Sequence, residues 1–367
     1  MSEPPYLTYS RYLKERHGSD VYRVAVDAGF SCPNRDSRSG RGCSYCDAEG
    51  SRAPAAARNQ PRFPVECGNG GTLRMDMDSL ERQVRASMTS YRRTHGDCQF
   101  ILFFQAYSNT NAPVETLRRV YDAGLALAPF RGLNVATRPD CMDNQKADLL
   151  ASYQGRGLEV WAELGLQSAH DETLRRIGRG HTAADFVEAF EMLRRRQVKI
   201  AVHLIFGLPG EGLHEIAQTM ELLARLGPDG VKIHNLHVPA GTLLARQYLE
   251  GELVVPSPSR HLEYCIAAIE RLPPSTVIMR LTCDTPVEKL AAPRGFWPKD
   301  RFLSALRAEM TARGARQGGL YQHAAADGGL GGAASRTSTT DSASGAAGSH
   351  ALATGRRTPP VDSRTSA

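Results

Sequence analysis

The length, composition and charge of the chain set the first limits on its function. It has 367 residues, of which 41% are hydrophobic and 23% are charged, and its formal net charge is +6. This composition suits one large hydrophobic core, and no apolar run is long enough to cross a bilayer. Met1 to Pro5 contain no apolar signal segment. We therefore expect a cytoplasmic enzyme with no membrane partner and no disulfide framework.

Predicted strands and helices alternate along the chain. Short apolar runs predict strands over 21–26, 99–104, 133–137, 158–165, 199–206 and 231–236. Amphipathic stretches predict helices over 78–93, 113–127, 143–153, 171–177, 182–197 and 211–226. Six strand–helix units in succession predict an α/β fold, an open (β/α)6 partial TIM barrel. Periodicity alone does not separate this fold from a doubly wound sheet.

The rest of the chain is predicted to be less regular. One more strand is predicted over 277–281 and a last helix over 300–313. From 321 to 367 the sequence is mainly Ala, Gly, Ser and Thr without periodic apolar residues, which predicts a disordered tail. The predicted organisation is therefore one core domain over 1–320 followed by the tail, with a Pro/Gly-rich insertion over 51–74 inside the core domain.

Three cysteines on one loop are the strongest chemical signal. Cys32, Cys43 and Cys46 follow the first predicted strand. Four cysteines saturate a [4Fe–4S] cluster, so three would leave one iron open to a cofactor or substrate. Structural zinc is the alternative, because Cys43-x-x-Cys46 is also half of a zinc knuckle. However, the chain has no second such pair, and Cys67 lies in the insertion.

Other polar and glycine-rich segments also follow predicted strands. In a β/α barrel, the loops at the carboxyl ends of the strands carry the chemistry. The segments in question are 105–111, 137–140, Glu163 with Gln167 and Ser168, 207–211, and His234 with His237. Their shared position predicts a single site at this edge of the sheet.

Seven sequence blocks together resemble one enzyme family. They are GFSCPNRD (29–36), YC (45–46), FQAYSNT (104–110), ATRPDC (136–141), ELGLQSAHDETL (163–174), RGH (179–181) and GLPGE (207–211). The blocks resemble the YhcC-like family of radical S-adenosylmethionine (SAM) proteins, which are relatives of the elongator-type radical SAM proteins. Most radical SAM enzymes have the spacing C-x₃-C-x₂-C, whereas ten residues separate Cys32 from Cys43. A long first gap is typical of the YhcC-like group.

The resemblance implies an enzyme with two cofactors. Cys32, Cys43 and Cys46 would hold a [4Fe–4S] cluster, and SAM would bind its open iron. Reductive cleavage of SAM would then release a 5′-deoxyadenosyl radical that abstracts hydrogen from a substrate. The electron would come from a donor of the flavodoxin or ferredoxin type. The alternative function is a non-catalytic iron–sulfur or zinc-binding scaffold.

The resemblance also assigns residues to SAM. Tyr45 matches an aromatic position near the adenine, and its alternative is a packing residue. Gln105, Ala106 and Tyr107 take the place of a Gly-Gly-Glu run that meets the methionine amino group in other members. Because this glutamate is missing, Gln105 or backbone carbonyls would accept that hydrogen bond. Glu163 suits the ribose hydroxyls, and its alternative is an ion pair with an arginine inside the barrel.

Further SAM contacts are implied for Gln167, Arg179 and His203. Arg179 could bind a carboxylate through two hydrogen bonds. A histidine inside a buried strand is more often a core residue, so His203 has that alternative. His234 and His237 are candidates to face the substrate or to donate a proton.

The sequence does not identify the substrate. Kinship with elongator-type proteins suggests RNA, especially tRNA, and arginine runs at 92–93 and 194–196 could contact phosphates, although both lie on predicted helices. A small metabolite fits equally well. The scatter of Cys67, Cys98, Cys141, Cys265 and Cys283 argues against an auxiliary cluster.

Overall fold

A parallel sheet of seven strands forms the core of the fold. The computed structural model describes residues 4–35, 42–46, 77–283 and 285–321. In sheet order the strands are β1 (Val21–Val26), β2 (Gln99–Phe104), β3 (Phe130–Thr137), β4 (Glu159–Gln167), β5 (Lys199–Phe206), β6 (Gly230–Asn235) and β8 (Val277–Arg280). The short strands β7 (Val238–Pro239) and β9 (Leu290–Ala292) form a separate antiparallel pair. The seven predicted strands are confirmed, and the predicted insertion over 51–74 and the tail over 322–367 lie outside the described residues.

Helices follow the strands along the chain. They are α1 (Tyr9–His17), α2 (Met77–His95), α3 (Val114–Leu125), α4 (Asn144–Gln154), α5 (Asp171–Arg176), α6 (Ala183–Arg194), α7 (Leu213–Leu226), α8 (Leu243–Leu249), α9 (Pro258–Arg271) and α10 (Lys299–Arg313). All seven predicted helices are confirmed to within a few residues, whereas α1, α8 and α9 were not predicted. No helix in the described ranges has both the length and the apolar character needed to span a membrane.

The order of the strands identifies the architecture. Every strand of the large sheet is parallel to its neighbours, and the order across the sheet follows the order along the chain. A doubly wound sheet reverses its strand order at a switch point. The seven described strands show no reversal, so the partial TIM barrel is confirmed and the doubly wound alternative is excluded.

Contacts across the inner face show that the sheet is strongly curved. Neighbouring strands lie about 4.8 Å apart, so β1 and β4 would be separated by about 14 Å in a flat sheet. Yet Arg23 of β1 lies 3.4 Å from the Glu163 carboxylate of β4, and Lys232 of β6 also donates to that carboxylate. One side chain therefore meets residues from both halves of the sheet.

Helix α1 closes the amino-terminal end of the barrel. The hydroxyl of Thr8 accepts a hydrogen bond from the N–H of Arg11 and caps the helix. The rings of Tyr9 and Tyr12 then meet the fully buried Trp161 of β4 edge-on, with centroids 6.0 and 5.8 Å away. We call α1 together with Trp161 the barrel floor.

The carboxyl-terminal helices pack outside the sheet. Helix α9 begins after Ser257, whose hydroxyl caps it, and presents His261 to Phe302 of α10 with ring centroids 5.3 Å apart. His261 and Phe302 are both fully buried and belong to the main hydrophobic core. This packing leaves the carboxyl ends of the strands for the functional loops.

Candidate active site

The cysteine loop follows β1 at the carboxyl edge of the sheet, as predicted. The N–H of Cys46 donates to the carbonyl of Cys43 at 2.9 Å and closes a turn. Ser44 fixes this turn on two sides, because its N–H donates to the Ile177 carbonyl (2.8 Å) and its carbonyl accepts from the Leu244 N–H (3.1 Å). Ile177 follows α5 and Leu244 belongs to α8, so two distant parts of the chain hold the turn.

Cys43 is buried, and its thiol faces a guanidinium group. Arg179 Nη1 donates to Cys43 Sγ at 3.7 Å, and Asn34 Nδ2 donates to the same sulfur at 3.4 Å. Burial opposes ionisation of the thiol, but the charge and hydrogen bond of Arg179, with the charge of Arg138, outweigh burial and lower the pKa of Cys43. The thiolate form, which binds iron, is therefore favoured at this position.

A chain of hydrogen bonds holds Arg179 beside that sulfur. Its Nη2 donates to the Gly165 carbonyl at 2.7 Å, and its own carbonyl accepts from Arg138 Nη2 at 2.8 Å. Arg138 Nε and Nη2 each donate to the Asp140 carboxylate at 2.9 Å. A Cβ on Gly165 would lie 2.6 Å from Arg179 Nη2. An alanine at this position would therefore require the Arg179 guanidinium to move away from the strand.

Arg179 and Tyr45 each interact with two of the three cysteines. The charge of Arg179 interacts with Cys43 and Cys32, and the Tyr45 hydroxyl interacts with Cys43 and Cys46. No disulfide involves these cysteines, and Cys46 is exposed. Within the described ranges, no three His, Cys, Asp or Glu side chains converge as ligands of one metal ion.

The loop after β2 carries three of the predicted SAM residues. Gln105 directly follows the strand, and its N–H donates to the Val26 carbonyl of β1 at 3.2 Å. Ala106 is fully buried. The hydroxyl of Tyr107 accepts from Arg35 Nη1 at 3.3 Å, which connects this loop to the cysteine loop. The two loops thus share one face of the site.

Two non-glycine residues of the site have left-handed backbones. Tyr107 has φ 58° and Gln167 has φ 74°. At Gln167 the pairing of β4 with β5 shifts by one residue. Such conformations cost about 1–3 kcal/mol each and concentrate at functional sites. Both residues were predicted to contact SAM.

Glu163 is the centre of a buried polar network. Its carboxylate accepts from Lys232 Nζ, from Asn134 Nδ2 at 3.1 Å and from Arg23 Nη1 at 3.4 Å, and it lies 2.9 Å from His203 Nε2. Burial would raise the pKa of Glu163, but the surrounding cations, led by Lys232, hold it well below its usual range. The ion pair with a barrel arginine, considered above as the alternative, is present.

The position of Glu163 differs from the prediction. The sequence placed it at the end of a strand over 158–165, but β4 extends to Gln167 and Glu163 lies in its middle. The shift in pairing at Gln167 allows the strand to continue past Gly165. Glu163 therefore lies deeper in the barrel than Arg179 and Gln167, and its role in ribose binding stays a prediction.

The histidines lie on the same side of the barrel as Glu163. The ring of His203 contacts that of His234, with centroids 5.6 Å apart. Burial and the Lys232 charge lower the pKa of His203 to about 4, so it is neutral near pH 7. His237 follows β6, and its Nδ1 lies 2.7 Å from the hydroxyl oxygen of Thr285. The structure thus brings His203 and His234 together and places His237 beyond the strand end.

Tyr45 packs in a small apolar cluster above the sheet. The half-buried ring contacts a cluster that includes Ile177, Leu208 and Leu236. Leu208 belongs to the predicted Gly-Leu-Pro-Gly turn, where Gly207 has φ 92°. The packing role and the adenine role of Tyr45 are both compatible with this position.

A cavity of about 790 Å³ borders that turn. Arg176, Tyr264 and Glu211 contribute to its wall.

Comparisons with known proteins agree with this geometry. The Radical SAM superfamily model matches residues 32–223, and the Radical_SAM C-terminal domain model matches residues 228–312. The chain is 34% identical to the uncharacterized protein YtqA of Bacillus subtilis, covering 88% of this chain and 94% of YtqA. It is 35% identical to the protein YhcC of Escherichia coli, covering 79% of this chain and 86% of YhcC. The chain belongs to the YhcC-like radical SAM family.

The solved structures support the same fold. The archaeal Elp3 of Methanocaldococcus infernus superimposes with a TM-score of 0.57 at 19% identity, covering 82% of this chain and 64% of that protein. The chain is thus a radical SAM enzyme with the partial barrel of its superfamily. Its cofactors are a [4Fe–4S] cluster and SAM.

Two features of this radical SAM protein fit a cluster at the cysteine loop. Cys32, Cys43 and Cys46 supply three thiols outside any disulfide, one of them with a lowered pKa. In addition, Arg138 Nη1 and Arg179 Nε are buried donors with no acceptor among the described residues. Buried donors without partners are costly, so an anionic group in this region would stabilise them.

Sequence reasoning gave no individual role to four residues of the site, although Arg138 lies in the predicted segment 137–140 and Asn34 in the block 29–36. Arg138 and Asn34 hold Arg179 and the Cys43 sulfur, and Arg23 and Lys232 bind Glu163. Lys232 carried a detectable signal, because it is the one charged residue in the apolar stretch 231–236. Asn34 and Arg138 lie in loops, where sequence alone does not show what a polar side chain contacts.

Proposed function

We propose that this enzyme cleaves SAM reductively at a [4Fe–4S] cluster bound by Cys32, Cys43 and Cys46. When bound and reduced, the cluster supplies the electron that breaks the sulfonium bond of SAM and releases a 5′-deoxyadenosyl radical, which takes a hydrogen atom from the substrate. The observation that carries the proposal is the buried Cys43 thiol, hydrogen-bonded by Arg179 at the carboxyl edge of a partial barrel. That contact favours the thiolate.

The residues around the cysteine loop would position SAM. Arg179 offers a buried guanidinium to the methionine carboxylate, with its Nε still without an acceptor among the described residues. Gln105 and the backbone of Ala106 and Tyr107 would accept from the amino group. Tyr45 would lie beside the adenine, since it already packs against the apolar cluster that includes Leu208.

The deeper residues would meet the part of SAM that reaches furthest into the barrel. Gln167 is held at the strand end by its left-handed backbone, and Glu163 and His203 lie below it. A ribose hydroxyl that bonds to Glu163 would compete with the donors already present there. The buried walls exclude water from a reactive intermediate.

An external reductant and a substrate complete the reaction. Cys46 is exposed, which leaves a short route for an electron from a donor of the flavodoxin or ferredoxin type. In the second arginine run proposed for RNA binding, two side chains already contact other residues of the protein. Arg196 bonds to Asp148, with Nη2 at 3.2 Å, and Arg194 Nη2 donates to the Leu226 carbonyl at 3.4 Å.

The test is anaerobic reconstitution with iron and sulfide, followed by dithionite and SAM, with 5′-deoxyadenosine as the readout. We expect wild type to bind about four irons and to form 5′-deoxyadenosine, and Cys43→Ala to lose both. Cys98→Ala is the matched control, because Cys98 is also buried but precedes β2 at the opposite edge of the sheet. A full cluster in wild type without any 5′-deoxyadenosine would contradict the proposal and favour the scaffold alternative.

A further inference from the structure

The turn that follows α5 packs directly against the cysteine loop. The Gly178 carbonyl accepts from Asn34 Nδ2 at 2.8 Å, and the same Nδ2 donates to Cys43 Sγ at 3.4 Å. A Cβ on Gly180, which has φ 78°, would lie 2.2 Å from Asn34 Oδ1. This close approach on both sides fixes Arg179, which lies between the two glycines, beside the Cys43 sulfur.

Arg179 is a buried cation that faces a sulfur and a carbonyl. Its side chain donates to the Gly165 carbonyl at 2.7 Å and to Cys43 Sγ at 3.7 Å, and the residue is only 7% exposed. The described residues give it no carboxylate partner, and its Nε has no acceptor among them. Burying a cation without an anion is costly, so negative charge at the Cys43 sulfur would stabilise Arg179.

A second buried guanidinium lies next to the first. Arg138 is 3% exposed, and its Nη2 donates to the Arg179 carbonyl at 2.8 Å. The same Nη2 would lie 3.4 Å from a Cβ on Gly180, the residue that fits against Asn34. Arg138 pairs with Asp140, but its Nη1 has no acceptor among the described residues. Two guanidinium groups and one carboxylate thus leave an excess of positive charge beside the cysteine loop.

The neighbouring His181 responds to the same positive charge. Its Nε2 lies 3.1 Å from the Gly165 carbonyl oxygen, and its Nδ1 lies 3.1 Å from that of Thr182. A protonated ring would donate from both nitrogens. Yet burial, together with the charges of Arg179 and Arg138, lowers the pKa of His181 to about 4. These charges disfavour an added positive charge here and favour an added negative charge.

Reduction of a [4Fe–4S] cluster adds one negative charge to it. The reduction potential of such a cluster depends on the net charge around it and on the hydrogen bonds to its sulfurs. Cations and N–H donors beside a thiolate ligand stabilise the reduced form more than the oxidised form. A higher potential increases the fraction of the cluster that a given donor can reduce.

We infer that Arg179 and Arg138 raise the reduction potential of the cluster at Cys32, Cys43 and Cys46, so that its electron donor can reduce it more readily. This inference rests on the proposed function and deepens it. Arg179 acts directly on the Cys43 sulfur, whereas Arg138 adds its charge and holds the Arg179 backbone. The electron comes from the donor of the flavodoxin or ferredoxin type, which loses one electron for each cluster reduced.

The test is a reductive titration of the full-length, anaerobically reconstituted protein. Dithionite is added with redox mediators, and the electron paramagnetic resonance signal of the reduced cluster gives the midpoint potential. SAM is left out, because its carboxylate would bind Arg179 in the proposed arrangement. We expect Arg138→Gln to lower the equilibrium constant for one-electron reduction at least about ten-fold, which corresponds to about 59 mV.

Two control variants separate charge from structure. Arg138→Lys keeps the positive charge, so its equilibrium constant should stay within about two-fold of wild type. Arg313→Gln removes an exposed arginine that pairs with Glu263, and its potential should equal that of wild type.

Arg179→Gln is a second, independent test. It should lower the potential further than Arg138→Gln, because Arg179 contacts Cys43 directly. The variant should also bind less iron, but the midpoint potential describes only the molecules that carry a cluster. A low yield therefore leaves the readout intact, and the inference stays testable if Arg138→Gln fails to fold.

Three outcomes would overturn the inference. These are potentials equal to wild type in both glutamine variants, an equal shift in Arg138→Lys and Arg138→Gln, and complete loss of the cluster from both glutamine variants, which would assign the arginines to cluster binding. The proposed function is scored separately by 5′-deoxyadenosine formed with excess dithionite. Unchanged potentials in a protein that forms 5′-deoxyadenosine refute this inference only, and lowered potentials in one that forms none refute the proposed function only.

Discussion

Glu163→Gln should lower the free energy of unfolding, and the buried ion pair sets the size of this loss. The change keeps the size of the side chain but removes the charge that faces Lys232, Arg23 and His203. Breaking a buried ion pair by removing one partner costs about 3–5 kcal/mol, because the other charge is left uncompensated. The amide oxygen can still accept from Asn134. We therefore expect the free energy of unfolding to fall by about 3 kcal/mol.

Urea denaturation of the cluster-free protein measures this loss. The matched control is Glu263→Gln, which breaks the exposed pair with Arg313 and should cost about 0–1 kcal/mol. Adding Lys232→Met to Glu163→Gln removes the uncompensated ammonium group, so the double variant should lose less than the sum of the single losses. Equal losses for Glu163→Gln and Glu263→Gln would refute the conclusion that the network is buried and coupled.

Three further predictions follow from other contacts. Gly165→Ala should displace the Arg179 guanidinium, since the added Cβ would lie 2.6 Å from Nη2. The variant should then bind several-fold less iron after reconstitution. An unchanged iron content would show that Arg179 can keep its place beside Cys43 without this glycine. Trp161→Ala should remove the largest ring of the barrel floor and lower the free energy of unfolding by about 3–5 kcal/mol, against a smaller loss for the partly buried Trp297→Ala. His203 has a pKa of about 4 in the folded protein against 6.5 ordinarily, so the unfolded chain takes up that proton first. Stability should thus fall as the pH drops from 6.5 towards 4, and His203→Gln should reduce that slope in urea titrations at several pH values.

The sheet could be predicted because each strand signal was local. Lys199–Phe206 is mostly apolar, with Lys199 and His203 as its polar residues, and its bounds match the predicted strand. The helix α1 was missed because its polar sequence buries only Tyr9 and Leu13, and its partner Trp161 lies far away in the chain. Helices that depend on one or two distant contacts carry little periodic signal.

The site was predictable in part for the same reason. The cysteine loop follows β1 and Gln167 is the last residue of β4, so their place at the carboxyl edge follows from the topology. The partners of Glu163 could not be predicted, since Arg23, Asn134 and Lys232 come from three strands that meet only when the sheet curves. Nor does sequence show that the strand continues two residues past Gly165.

The barrel floor has a consequence for the order of events during turnover. Because α1 packs on Trp161 at the amino-terminal end of the barrel, SAM and a substrate would both enter at the carboxyl ends of the strands, beside the cysteine loop. On the proposed arrangement, bound SAM would then block the path of any substrate that binds deeper in the barrel. The substrate should therefore bind before SAM, and SAM added in advance should slow substrate binding. Deleting the first 18 residues, which include α1, should remove this order of binding.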